Sequence, residues 1–189
     1  MKLIIEMTEH FFPQVIALAN QVHGDNYLNI NQLTELQERG VKQGVNASFI
    51  ALSDTVVVGY RLSFAAEQWS LDQWCSVELW PVGAEKMAYF KSVAVAPELQ
   101  GQGIGSALLR ASIAALSKQG AIAGLAHIWR ESPGNSAQRY FKKAGAKLIA
   151  VHQDRWLPLS QNGGYICPLC GNRCHCSAAE MVLTFNGKP

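Results

Sequence analysis

The run Val93-Ala94-Val95-Ala96-Pro97-Glu98-Leu99-Gln100-Gly101-Gln102-Gly103-Ile104-Gly105-Ser106-Ala107-Leu108-Leu109 constrains the fold of this 189-residue chain more than any other. A β-branched strand stops at Pro97. Three glycines follow at alternate positions, and then a helix begins with Leu109, Ile113 and Leu116 on one side and Ser106, Arg110 and Ser117 on another. Such a strand–loop–helix leaves a nest of backbone N–H groups at a helix N-terminus. Glycine lets a ligand come close, and the unpaired N–H groups with the positive end of the helix dipole favour a phosphate. A P-loop needs Gly-Lys-Ser/Thr here, but Gly105 is followed by Ser106 and Ala107. A dinucleotide fingerprint needs its last glycine three residues after the second and an acid further on; Gly103 and Gly105 are two apart, and residues 121–127 hold no acid. Both readings fail.

The flanking pattern is mixed α/β. Residues 2–6 read as a strand, and Thr8 with Phe11, Phe12, Val15, Ile16 and Ala19 reads as the cap and apolar face of a helix with Pro13 in its first turns. A second helix is expected over 31–43. Strands over 48–52 and 56–62 flank Ser53-Asp54-Thr55 as a hairpin. Strands are also expected over 89–95, 121–129, 147–151 and 180–185, and a helix over 135–144 ending at Gly145. The order is β-α-α-β-β-β-α-β-α-β-β, giving a central sheet of about seven strands flanked by helices. Residues 67–86 form a long connection holding Trp69, Trp74 and Trp80, either an apolar cover for the core edge or a wall for a substrate.

Gln100-x-x-Gly103-x-Gly105, preceded by Val-Ala-Val-Ala-Pro-Glu, resembles the acetyl-CoA-binding motif of the GNAT superfamily of N-acyltransferases. The element order matches that fold from residue 2 to 151 and resumes at 180, and Asn135 to Gly145 resembles the helix that flanks the coenzyme. The resemblance implies a domain spanning 1–189 in which acetyl-CoA is the cosubstrate. Backbone groups at Val93, Ala94 and Val95 would hold the pantetheine, and Gln100, Gly101, Gln102, Gly103, Ile104, Gly105 and Ser106 the pyrophosphate, with Asn135 approaching from the next helix. Arg110, Arg139, Lys142 or Lys143 could reach the adenosine 3′-phosphate. The acceptor implied is a primary amine of a small molecule or peptide.

Transfer to an amine needs a base for its proton and a donor for the leaving thiolate. The family's usual tyrosine position, counted back from Gly145, holds Phe141, with Tyr140 one place earlier. The carboxylate often found in the family's fourth strand is replaced by Lys91 and Ser92, and Glu78 and Glu85 are the nearest substitutes by sequence. Tyr140 is therefore the expected donor and Glu85 the expected base. Cys75 reads as a buried thiol, and His23 and His127 as structural.

Cys167, Cys170, Cys174 and Cys176 follow the spacing Cys-x2-Cys-x3-Cys-x-Cys in an added hairpin at about 160–178. Four clustered thiols in a chain without an export-type leader point to one structural zinc, with His175 able to replace one of the last pair. Reduced thiols and a local disulfide are the alternatives. The same N-terminus and the absence of a long apolar run predict a cytoplasmic protein that spans no membrane, and a homodimer is compatible with the sequence. A net charge of +2 argues against a nucleic-acid partner. Two other functions stay open: a non-catalytic acyl-CoA sensor, and a nucleic-acid-associated knuckle protein.

Overall fold

The computed structural model describes residues 2–161 and 166–185. In chain order the elements are β1 (Leu3–Glu6), α1 (Phe12–His23), α2 (Ile30–Glu38), β2 (Val41–Lys42), β3 (Val45–Asn46), β4 (Phe49–Ser53) and β5 (Val56–Phe64). They continue with β6 (Met87–Val95), α3 (Ile104–Lys118), β7 (Ala123–Trp129), α4 (Ser136–Lys143), β8 (Lys147–His152), α5 (Leu157–Gln161) and β9 (Ala178–Thr184). Seven strands form one sheet in the order β1-β4-β5-β6-β7-β9-β8, and β2 pairs with β3 apart from it.

Three local expectations are corrected. Thr8 makes no capping bond; a short 3-10 turn, Glu9–Phe11, intervenes, and α1 starts at Phe12 with Pro13 in its first turn, where a missing N–H costs nothing. Its Phe12, Val15, Leu18 and Ala19 are buried, as their spacing requires. α2 is opened by a reciprocal Asn29–Gln32 capping box and ends at Glu38 rather than 43. Gly40 is the reason, because a side chain there would press on Ser63 O, and the chain turns back through Gln43 (φ 54°) and Gly44 (φ 75°) into β3. α5 was not foreseen.

Alternation along β5 divides the helices between the two faces. Gly59 meets Ile104 and Leu108, Arg61 meets Tyr140 and Ser63 meets Ser112, all from α3 and α4. Tyr60, on the other face, meets Ser92, to which Tyr27 beyond α1 also bonds. The sheet has one parallel junction, between β6 and β7, and it is short: Met87↔Ala123, Ala88↔Gly124 and Tyr89↔Leu125. Beyond Tyr89, β6 continues on β5 as far as Val95 while β7 continues on β9 as far as Trp129, so the two strands part. The β5–β6 register also shifts between Ser63↔Phe90 and Leu62↔Ser92, which makes Lys91 the extra residue of a β-bulge at the mouth of the gap. Gly124 lets the Phe90 ring lie across the junction, where any Cβ would collide with it. Among the described residues no helix is long and apolar enough to cross a membrane.

Candidate active site

The gap between β6 and β7 has backbone to offer. Ala96 N donates to Val58 O at 2.9 Å, so by the antiparallel alternation Ala94 also faces β5, while the N–H and C=O of Val93 and Val95 turn into the gap. Gln100 Nε2 donates to Val95 O at 3.2 Å and ties the following loop to the strand end. The side chains of Ala94 and Ile104 are buried in the core, so both can contribute only main chain. Past the strand, Gly101 (φ 77°) and Gly103 (φ 82°) are left-handed, and a Cβ on either would stand in open space. α3 closes its first bond from Ala107 N to Gly103 O, which leaves the Ile104, Gly105 and Ser106 amides without helical partners. This is an anion cradle. Gln102 is held aside by Lys2 Nζ at 2.6 Å.

Tyr140 spans from α4 to that same helix start. Its hydroxyl donates to Gly105 O at 2.8 Å and accepts from Arg61 Nη2 at 2.9 Å. Burial raises its pKa, against the charge and hydrogen bond of Arg61. The Arg61 guanidinium, almost wholly buried, lies 5.1 Å from the Phe90 ring centre and 5.6 Å from that of Phe141. Phe141, in the position where the family places a tyrosine, is buried against Phe90. Asn135 caps α4 in a left-handed conformation (φ 50°) and donates to Gln138 Oε1 at 3.1 Å.

The other face of the gap holds a second constellation. Tyr89 Oη lies 3.0 Å from His127 Nδ1, and His127 Nε2 lies 2.6 Å from the Trp74 carbonyl. A carbonyl only accepts, so Nε2 carries the imidazole proton, and Tyr89 donates to the lone pair on Nδ1. Desolvation lowers His127 to about 4, the Trp74 bond opposing and Arg155 reinforcing. Glu180, fully buried on β9, accepts from Trp80 Nε1 (2.8 Å), Ser76 N (3.0 Å) and His152 Nε2 (2.9 Å). Burial alone would raise its carboxyl, but these donors hold it below the ordinary range. His127, His152 and Glu180 have ligand atoms within 4.8 Å of one another, yet each already has a hydrogen-bond partner. Lys91 reaches water while enclosed by protein, and desolvation, then the charges of Arg155 and Arg39, lowers it to about 8. His23, lowered by desolvation to about 4, lies 3.4 Å from Ser92 Oγ.

Residues 12–146 match the family model described as Acetyltransferase (GNAT) family. The chain belongs to the GNAT acetyltransferase family. Solved structures share its fold: Ard1 from Thermoplasma volcanium aligns at 15% identity with a TM-score of 0.71, covering 98% of this chain and 99% of that one. The ribosomal-protein-S18-alanine N-acetyltransferase of Escherichia coli aligns at 15% identity and a TM-score of 0.68, covering 100% and 97%. YncA of Salmonella typhimurium, a putative acetyltransferase solved with acetyl-CoA, aligns at 16% and 0.69, covering 99% and 95%. No curated protein matches the chain in sequence.

Within this GNAT fold the expected catalytic pair is not brought together. Glu85 is exposed in the turn before β6, curled back over Gly83, whereas Tyr140 bonds to the helix that starts after β6 ends. The Tyr89–His127 pair was missed because it joins two strands 38 residues apart, and nothing local announces a parallel register. Trp69 and Trp80 cover the core edge, Trp69 Nε1 holding Met87 O at 2.9 Å, and the Trp74 carbonyl orients His127. Burial pushes the Cys75 thiol up to about 11, in keeping with an inert side chain.

The cysteine hairpin lies outside the family match. Its four sulfurs fall within 4.8 Å of one another, with Cys170–Cys176 at 3.5 Å and Cys167–Cys176 at 4.0 Å, and none is bonded to another. Sulfurs about 2.3 Å from a tetrahedral zinc are about 3.8 Å apart, so the set fits that ion. The His175 amide faces the Cys170 sulfur and the Cys176 amide faces that of Cys174, as donors that would stabilise thiolates. Residues 162–165 of the expected insertion lie outside the described residues.

Proposed function

We propose that this GNAT protein transfers the acetyl group of acetyl-CoA to a primary amine of a small molecule or peptide by direct attack in a ternary complex. One observation carries the reading: β6 and β7 part to expose strand backbone at Val93 and Val95, where, among the described residues, only the His23 and Gln100 side chains compete for it, with an anion cradle at one end of the gap and a Tyr–His pair at its root. The pantetheine adds to the β6 edge at Val93 and Val95, displacing the Gln100 side chain from Val95 O, and the pyrophosphate takes amides within residues 101–106. Arg61 stands behind that helix start and adds positive charge. Acetyl-CoA as the ligand of YncA supports the same choice of cosubstrate here.

The amine enters from the side of the tryptophan loop. Its nitrogen, as the neutral amine, attacks the thioester carbonyl carbon, the C–S bond breaks, and the thiolate leaves to take a proton from water. The proton shed by nitrogen moves to Tyr89 Oη as the Tyr89 proton moves to His127 Nδ1. A histidine with a pKa of about 4 is neutral near pH 7, so its lone pair can accept the Tyr89 proton; it is a weak base, and the acidic imidazolium passes that proton on to water. Tyr140 and Glu85 stand outside this relay. Tyr140, its proton committed to Gly105, braces α3 against α4. Cys167, Cys170, Cys174 and Cys176 hold one structural zinc; a closed four-thiolate ion has no position for substrate and supplies no acyl chemistry.

The test is acetyl-CoA-dependent thiol release across an amine panel that includes peptides beginning with alanine, the residue in the name of the Escherichia coli relative. Tyr89→Phe should lower kcat by about a hundredfold with acetyl-CoA affinity unchanged. Full turnover in that variant would remove Tyr89 from the mechanism. Acetyl-CoA binding without thiol release to any amine would favour the sensor reading.

A further inference from the structure

The cysteine cluster is built into the wall of the acceptor side, on both flanks. On one, Trp156 packs on the cysteines, and its neighbour Arg155 pairs with Asp72 at 3.2 Å and lies 5.6 Å over the Trp74 ring. Trp74 in turn orients His127 through its carbonyl and meets the His152 ring at 5.7 Å. On the other flank, Trp129 packs on the same cysteines two residues after His127 on β7. Its buried Nε1 finds no nitrogen or oxygen partner, and the Cys176 sulfur is the acceptor it faces. The hairpin also reaches the turn after α1, where Ile166 N donates to Asp25 O at 3.1 Å and the Ile166 carbonyl fills the space a side chain on Gly24 would need.

The tip has little else to hold it. Its Ile166 and Leu169 are 43% and 58% exposed, so its apolar burial is confined to the cysteines against Trp129 and Trp156. Cys174 N donates to Ser160 Oγ at 2.9 Å, Gln153 Nε2 to His175 O at 2.7 Å, and Asp154 meets His175 Nδ1 at 2.9 Å. All three tie the tip to the segment that carries Arg155 and Trp156. The loop of residues 100–106 takes part in none of these contacts.

We propose that the zinc held by Cys167, Cys170, Cys174 and Cys176 fixes the acceptor wall, so that metal loading sets affinity for the amine and leaves acetyl-CoA binding alone. The inference rests on the transferase reading above. A four-thiolate ion gives rigid geometry to a segment whose small core is the cysteines themselves, and that geometry passes through Trp156 and Arg155 to Asp72 and Trp74, and through Trp129 to β7.

The experiment compares full-length protein loaded with zinc, the same protein after chelation, and Cys174→Ala, scored by metal analysis, hydrogen exchange and acetyl-CoA calorimetry. The loaded protein should carry one zinc per chain, set by its four cysteines. Metal loss should raise exchange in residues 166–177 and also in 23–27, 72–76 and 153–156, but not in 93–109. Acetyl-CoA affinity should hold while KM for the best amine rises about tenfold or more. Exchange changes confined to 166–177, an unchanged amine KM in steady-state thiol release, a parallel loss of acetyl-CoA affinity, or substoichiometric metal in fresh reduced protein would overturn the proposal. If Cys174→Ala does not fold, chelation of the wild-type chain decides the matter. Failure of the loaded protein to bind acetyl-CoA would instead strike the transferase reading, with the exchange map still scoring the wall.

Discussion

Gly103→Ala, compared with Gly120→Ala, separates the cost of a strained backbone from the loss of an anion site. Both glycines are left-handed, at φ 82° and 91°, and a Cβ on either meets nothing within 4 Å. Each alanine therefore costs the folded chain only its backbone strain, about 1–2 kcal/mol, which a chain of this size registers as roughly 2–8 °C in Tm. The two positions flank the 15-residue α3, about 25 Å apart. The open space at Gly103 is where the pyrophosphate must come to reach the Ile104, Gly105 and Ser106 amides. A methyl there pushes it off at least one charge-assisted bond worth about 1.5–3 kcal/mol, so acetyl-CoA should bind about tenfold or more weakly. Gly120→Ala should bind normally, and Gly103→Asp should fare worse than either because it adds like charge. Differential scanning and isothermal calorimetry on the three variants measure both quantities. Equal acetyl-CoA affinity in the two alanine variants would refute the cradle.

Tyr140→Phe removes a hydroxyl that serves Gly105 O and Arg61 Nη2 together, leaving a buried guanidinium short of a partner; thermal unfolding should show a loss of about 1–3 kcal/mol, with kcat on saturating substrates retained. A large fall in kcat at unchanged stability would return Tyr140 to the role of thiolate donor. Stability should also fall with acid. His23, facing Lys91, Tyr27 and Ser92, and His127, facing Tyr89, Arg155, Asp72 and Glu180, are both depressed to about 4 in the folded chain, whereas the unfolded chain takes up protons from about 6.5 downward. Their contribution is whole above about 6.5 and erodes toward about 4; because both side chains are partly wet, about 1–2 kcal/mol each is expected between pH 7 and 5. Urea titrations at the two pH values test this, and unchanged stability in the acid would contradict the burial of these rings.

The strand–loop–helix of residues 93–109 was legible because its determinants are local. Val93 to Leu109 encodes strand, turn and helix start within 17 consecutive residues; Gly101 and Gly103 take left-handed angles in the turn, and Gly105 lies in the helix. The hairpin about Asp54 (φ 55°) and the helix stop at Gly145 (φ 96°) were readable on the same grounds. The Tyr–His–Glu cluster was not, since Tyr89, His127, His152 and Glu180 come from four strands and meet only once the register is set. Glu85 looked useful by sequence distance alone, and strand geometry carries it to the far end of β6. Tyr140 shows a subtler failure: one residue of helical offset, about 100°, turns its hydroxyl to Arg61 and Gly105. The cysteines were legible as a set, while their attachment through Trp129 and Trp156 was not.

The three-pair junction between β6 and β7 has a mechanical meaning as well as a chemical one. On either side of it the sheet is stitched by longer antiparallel ladders, seven pairs between β7 and β9 and six between β5 and β6. The molecule is thus two well-sewn panels joined by a short seam, with the Phe90 ring laid over Gly124 as its patch. A ligand that lies along the seam and bonds to one panel's edge sews the panels further along, so resistance to shear between them is greatest in the loaded enzyme and drops each time the spent coenzyme departs.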